Sequence, residues 1–387
     1  MPFPLYLLAL AVFAQGTSEF MLSGLVPDLA HDLGVSVPAA GSLTSAFAVG
    51  MIVGAPLAAV LAARWSRRAA LSCFLAVFLL AHVAGALTGS YGVLLGTRCA
   101  AALANAGFLA VALTTAASLV APDAKGRATS VLLGGTTLAC VAGVPGGAWL
   151  GQLLGWRAAF WAVAALCLPA LAAVARWVPA QAPTGARPDV RAELRALRGP
   201  RLRTVLFLGA LVNAATFCTF TYLAPLATEV TGIGADRVPA LLALFGLGAF
   251  AGVSAAGRLA DTRPVPLLAG GGAALLLGWV LLALTAGSPG AALALAFVQG
   301  ALAFAVGSTL IARALYAASG APALAGGLAT AALNVGAALG PWAGGRAIGA
   351  GLGYRAVPLV SAGLVALACA VAAGVAVRAP RRGPVSR

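Results

Sequence analysis

The sequence predicts an all-α membrane protein: twelve transmembrane helices in two parallel six-helix repeats. Three observations predict it. The 387 residues are 61% hydrophobic and only 9% charged, with a mean hydropathy of +1.01, whereas a soluble domain carries about 25% charged residues. The apolar residues fall in runs of about 20, enough to cross roughly 30 Å of hydrocarbon at about 1.5 Å per residue. The second half also repeats the first. Pro27 returns as Pro225, Phe47 as Phe245, Gly50 and Gly54 as Gly248 and Gly252, and Gly155-Trp156-Arg157 as Gly353-Tyr354-Arg355, each pair 198 positions apart. Glycine is common here, but one offset serving a proline, glycine pairs and a Gly-aromatic-Arg turn marks a genuine repeat.

Bounded by Pro, Gly and Arg, the spans fall near 4–27, 38–63, 70–88, 91–119, 128–151 and 157–178, then near 204–228, 238–258, 265–287, 290–315, 324–349 and 355–377. This divides the chain into a first six-helix unit (1–178), a basic linker (179–203) and a second unit with a basic tail (204–387). The first run lacks a basic leader and keeps Glu19 where a signal peptide would end its apolar core, so it is expected to be a retained span. In the linker, Val190, Leu194 and Leu197 alternate with Arg191, Arg195 and Arg198 at helical spacing. That pattern suits an amphipathic helix on an anionic leaflet and equally a solvated connection. With both termini inside, 19 of the 24 Lys and Arg residues lie on the inner side; the charge bias therefore predicts a plasma-membrane protein with cytoplasmic termini.

Several function classes are excluded. The net charge of +15 sits in short clusters between apolar runs without interleaved aromatics, which argues against nucleic acid. The six cysteines all lie in apolar runs, and no two are spaced as a metal knuckle, so no metal or cofactor is implied. The spans hold no catalytic dyad for an enzyme, and the polar stretches are too short for the soluble domain of a sensor. His82 lies within a span, open to a packing role or to proton relay.

Charged residues stranded in hydrocarbon cost on the order of 3 kcal/mol even on lenient scales and mark functional sites. Glu19 in the first span and Arg98 in the fourth both lie roughly 10–12 Å below the outer surface. Matched depth allows a charge pair, whose disruption would let Glu19 take up a proton. Asn105 follows Arg98 two turns along the same face.

Four stretches resemble signatures of the major facilitator superfamily. Residues 59–68, Ala-Val-Leu-Ala-Ala-Arg-Trp-Ser-Arg-Arg, and residues 257–263, Gly-Arg-Leu-Ala-Asp-Thr-Arg, are similar to its G-x-L-A-D-R-x-G-R-R loop. The first copy has Ala63 where the family has its aspartate. The resemblance implies gating roles for Arg64, Arg67, Arg68, Gly257 and Asp261, and Arg98 matches the intramembrane arginine of the family's fourth helix. Gly143-Val144-Pro145-Gly146-Gly147 is similar to the antiporter signature of the fifth helix. Gly143 and Gly147 would allow close packing and Pro145 a bend. Gly270-Gly271-Gly272, by contrast, lies in an apolar span with no lysine following and is not a phosphate loop.

The stretches at 16–27, 43–51 and 102–113 most resemble the chloramphenicol-resistance exporters within the twelve-span drug:proton antiporters. This implies a monomeric exporter that exchanges inward protons for a small outward drug, with Glu19 and Arg98 coupling the two. The same fold exporting a sugar, nucleoside or other metabolite is the alternative. In that family the first, fourth, seventh and tenth helices line the cavity. This points to Gln15, Asn105, Phe108, Asn213, Phe217, Phe220, Tyr222, Gln299 and Phe304, with Asn334 on the eleventh, as an aromatic pocket with a few amides. Each of these residues taken singly reads first as ordinary packing, and the set carries more than its members.

Overall fold

A computed structural model describes residues 2–62, 65–121, 125–178, 199–259, 263–317 and 322–378, which form helices joined by short turns. The first unit contains α1 (Phe3–Phe20), α2 (Val37–Ala62), α3 (Arg67–Leu87), α4 (Tyr91–Ser118), α5 (125–154) and α6 (Trp156–Trp177). The second contains α7 (Pro200–Thr221), α8 (Val238–Leu259), α9 (Pro264–Thr285), α10 (Pro289–Ala317), α11 (Pro322–Gly349) and α12 (Ala356–Arg378). Among the described residues, eleven spans are long and apolar enough to cross a membrane; a further helix, α11, runs for 28 residues. The expected linker helix, Arg64, Asp261 and the basic tail lie outside the described residues.

The 198-residue repeat holds in three dimensions. In the first unit α1 packs on α5 and α6, α2 on α4, and α3 on α4 and α6. In the second, α7 packs on α11 and α12, α8 on α10, and α9 on α10 and α12. Glycine sets the close approaches at matched positions. A Cβ on Gly50 would lie 2.8 Å from the Cys99 carbonyl oxygen, and one on Gly248 would lie 2.0 Å from that of Phe297. The turn motif is matched too. Gly155 and Gly353 take φ of 81° and 72°, which residues with a Cβ rarely adopt. Each is followed by an aromatic residue and an arginine.

Three helices depart from the expected runs. α1 stops at Phe20, gives way to a 3-10 turn (Met21–Gly24), and resumes as a short helix (Val26–Asp32) with Pro27 in its first turn. α7 breaks similarly before Leu223–Leu226. In α5, Lys125–Leu138 passes through a π turn (Ala139–Gly143) into Val144–Leu154. Pro145 lacks an N–H and its ring crowds the preceding turn, which the wider π turn accommodates.

The units meet along α2–α11 and α5–α8. The Ser45 hydroxyl donates to the Ala338 carbonyl at 2.7 Å. Gly246 lies against the Cys140 carbonyl, where an added Cβ would come within 2.2 Å. Tyr222 donates to the Pro341 carbonyl at 2.9 Å and packs over Gly41 and Gly345. These contacts lie in the half of the bundle away from the termini. On that face Asp32 accepts from Trp156 at 2.8 Å and pairs with Arg157, and Arg157 also donates to the Thr88 carbonyl. The clasp ties the short helix to the start of α6.

Gly246→Ala is expected to force α5 and α8 apart, costing about 1–3 kcal/mol as overpacking, whereas Gly146→Ala meets nothing within 4 Å and should be neutral. Thermal melts of the purified variants compare them, and equal melting temperatures would contradict the seam. The hydrogen bonds from Trp156 and Arg157 hold the Asp32 carboxyl below its ordinary value. A depressed carboxylate stabilises the fold at neutral pH and loses that contribution on acidification through its folded value. Arg157→Ala should therefore cost less than about 1 kcal/mol at pH 7. The gap from wild type should close once the pH falls well below about 4, as melts across that range would show.

Candidate functional site

Arg98 lies on α4 with only 1% of its surface exposed. Its guanidinium donates to Ser18 Oγ at 2.8 Å and to the Ser18 carbonyl at 3.0 Å and stacks 4.3 Å over the Phe47 ring. The Ser18 carbonyl belongs to the last turn of α1, where carbonyls run out of helical partners and the helix end is partially negative. The break at Phe20 thus creates the acceptor that the buried cation needs.

Ser18 leads on to His82. His82 Nδ1 lies 2.7 Å from the Phe78 carbonyl and Nε2 lies 2.6 Å from Ser18 Oγ. A carbonyl only accepts, so Nδ1 carries the hydrogen. Ser18 Oγ accepts from Arg98 and donates its own hydrogen to Nε2. One neutral tautomer satisfies the whole chain of bonds, from α3 through α1 to α4.

The expected Glu19–Arg98 contact takes a different form: Arg98 holds the residue next to Glu19. Glu19 is half-buried and makes no hydrogen bond or ion pair among the described residues, although it lies within electrostatic reach of Arg98 and Cys140. One turn earlier, Gln15 is 1% exposed and both its amide atoms are buried without a partner, a costly state for a polar group.

Of the expected pocket residues, the structure brings one aromatic group together. Phe217 stacks on Phe20 at 5.8 Å and meets Phe220 edge-on, Phe220 packs on Phe245 at 4.7 Å, and Phe245 meets Phe304. The rings bridge α1, α7, α8 and α10. Asn105 is buried on α4, and Asn213 donates to the Leu333 carbonyl at 2.6 Å, tying α7 to α11.

The other residues expected in the pocket are placed elsewhere. Phe108 is fully buried in the core of the first unit. Gln299 turns toward α9, donating to the Leu275 carbonyl at 3.1 Å with its amide against Gly278. Asn334 donates to Thr330 of its own helix, and Tyr222 fills the α2–α11 seam. Helical spacing places a polar residue on a face, but packing alone decides what that face meets. Phe20, Phe245, Ser18 and Phe47 were missed; Ser18, a hydroxyl beside the stranded acid, was the available cue.

Several gating expectations resolve into packing within one unit. Gly143 and Gly147 face α1, where added Cβ atoms would meet Thr17 and the Met21 side chain. Pro145 follows the π turn. Arg67 donates to Ser118 Oγ at 2.6 Å and Arg68 to the Val178 carbonyl at 2.7 Å, clasping α3 to the ends of α4 and α6. Gly257 lies within α8.

Ser18→Ala removes the hydroxyl between Arg98 and His82 and leaves both short of a partner. It should cost about 1–3 kcal/mol, read as a lowered melting temperature that Ser18→Thr largely restores. A Ser18→Ala protein that melts with wild type would contradict this network.

The profile of the Major Facilitator Superfamily matches residues 8–323. The chain is 59% identical over 375 residues to the chloramphenicol resistance protein of Streptomyces lividans, covering 96% of each chain. It is 37% identical to the inner membrane transport protein YdhP of Escherichia coli (strain K12), covering 95% of this chain and 94% of that one. A crystal structure of a bacterial homolog to the human lysosomal transporter Spinster superposes with a TM-score of 0.77 at 18% identity, covering 96% of both chains. The chain therefore belongs to the Major Facilitator Superfamily and is a multi-pass membrane transporter.

Proposed function

We propose that this transporter exports chloramphenicol or a related phenicol in exchange for protons, by alternating access, from a plasma membrane in which both termini are cytoplasmic. The substrate assignment rests on the 59% identity, over nearly the whole chain, to a chloramphenicol resistance protein. The site chemistry supports it. A phenicol presents a nitroaromatic ring with amide and hydroxyl groups. The ring cluster from Phe20 to Phe304 offers apolar faces, and Gln15 offers an unpaired donor and acceptor one turn from Glu19.

In this reading Glu19 is the proton carrier and Arg98 sets its affinity. Arg98 is fixed to the broken end of α1, so it holds a steady field at Glu19, and the acid's affinity for a proton changes when substrate enters or when the second unit rocks across it. A neutral Glu19 suits the state facing acid outside, and an ionised one the state facing the cytoplasm. The α2–α11 and α5–α8 seams close the face away from the termini. With the termini cytoplasmic, this arrangement corresponds to a protein closed to the outside.

Expression in a drug-sensitive host lacking its own efflux pumps tests the proposal. The wild type should lower chloramphenicol accumulation until an uncoupler is added. Glu19→Gln should return accumulation to the level of the empty host, and Arg98→Ala should do so at least in part. Unchanged accumulation with wild type would sink the substrate assignment, and uncoupler-sensitive efflux by Glu19→Gln would remove Glu19 from coupling.

A further inference from the structure

A cavity lies away from the central site, in the second unit. Its volume is about 470 Å³, and it lies between α7, α9, α10 and α12, open on one side. Val212, Leu268, Gly272, Val306 and Val365 line it, with Cys369 as its most polar wall. It lies toward the face bearing the termini, near the starts of α7 and α9 and the ends of α10 and α12.

The internal repeat explains why it exists. At the 198-residue offset, Gly272 corresponds to Phe74 and Val306 to Phe108. In the first unit Phe108 is fully buried and the Phe74 ring lies flat against Gly107 of α4, within 2.6 Å of where a Cβ would stand. These two rings fill that core. The second unit keeps the frame and drops both rings, and the Gly270-Gly271-Gly272 run is the sequence mark of the loss.

Interiors rarely keep voids much larger than a water molecule. Water does not suit this one, because a buried water needs 2–4 polar partners. An apolar cavity of about 150 Å³ can hold benzene, and this one is roughly three times larger. The mouth lies on the seam between α9 and α12, where Val265 is 71% exposed and Ala269, Ala372 and Ala373 are exposed too. Neither α9 nor α12 makes a principal contact with the first unit, so the seam faces the bilayer. Arg263, exposed, precedes α9 two positions before Val265, and exposed Arg201 and Arg203 lie in the first turn of α7. This rim of cations sits at headgroup depth, where anionic lipids are attracted.

We propose that the cavity is a binding site for an acyl chain of an anionic phospholipid, drawn from the leaflet on the face bearing the termini. The chain restores the dispersion contacts that the two missing phenylalanines supply in the first unit, and the arginine rim holds the phosphate. The proposal rests on the membrane-spanning fold and is independent of the drug assignment.

Native mass spectrometry tests it on protein released from vesicles of phosphatidylethanolamine and phosphatidylglycerol. The wild type should retain one phosphatidylglycerol per chain. Gly272→Phe and Val306→Phe, which restore the residues of the first unit, should lose it while melting no lower than wild type. Equal retention by folded variants, or none by wild type, would overturn the proposal. A measurement on wild type alone keeps it testable should the variants not fold. Phosphatidylglycerol added to protein in detergent should raise its melting temperature, and glycerol phosphate, the headgroup without chains, should not. Equal stabilisation by glycerol phosphate would overturn the acyl-chain site, and stoichiometric displacement of the lipid by chloramphenicol would make the cavity a drug site instead.

Discussion

The first unit depends on one contact, the Arg98 guanidinium on the broken end of α1. A buried cation in hydrocarbon is expensive, and a helix that stops within a membrane leaves carbonyls without partners. Each cost offsets the other here. Ser18 supplies two acceptors, Phe47 supplies a ring face, and His82 fixes the hydroxyl from the far side. The break cannot easily move, because Gly24 is pressed between Ala148 and Leu242. The position of Glu19, at the last turn before the break, is therefore set by the same bonds that hold the arginine. The proposed coupling follows from this arrangement: the acid is left without a hydrogen bond among the described residues while its cation is held firmly beside it.

The repeat shows where function departs from architecture. Turn glycines, close-packing glycines and helix partners recur at 198 residues, because they answer demands common to both units. The chemistry does not recur. Glu19 has Phe217 as its mate, Arg98 has Ala296, His82 has Val280, and the Phe74 and Phe108 rings have Gly272 and Val306. Charge gathers in the first unit, whereas the second supplies most of the aromatic surface and a cavity in its core.

Most of the fold was legible because a bilayer constrains it simply. Spans need length and apolarity, and most fall within a few residues of the expected runs, although α1 and α7 each stop seven residues short. The breaks in α1, α5 and α7 were less legible. Pro145 and Pro27 mark the breaks in α5 and α1, but where each helix stops also depends on tertiary fit, such as the approach of α5 to α1 at Gly143. Site residues were legible as a class and not by placement. Phe217, Phe220 and Phe304 lie in one ring cluster, whereas Gln299, Phe108 and Tyr222 have the same helical spacing and turn elsewhere. A polar or aromatic residue in a span satisfies the same pattern whether its partner is a ligand, a neighbouring carbonyl or a packed core.

The inter-unit seams show what alternating access would require. Their contacts are mostly small: Gly41, Gly246 and Gly345 against backbone or the Tyr222 ring, and the Ser45 bond to Ala338. Each unit keeps its own large core, with only a few residues such as Phe20 and Ala148 crossing into the other. Separating the seams would leave both of these cores packed, while bending either unit would disrupt one. The Phe20–Phe217 stack joins the units beside Glu19, so rocking of one unit on the other moves the aromatic cluster relative to the acid. In the proposed mechanism this is how the substrate surface of the second unit and the proton site of the first stay linked.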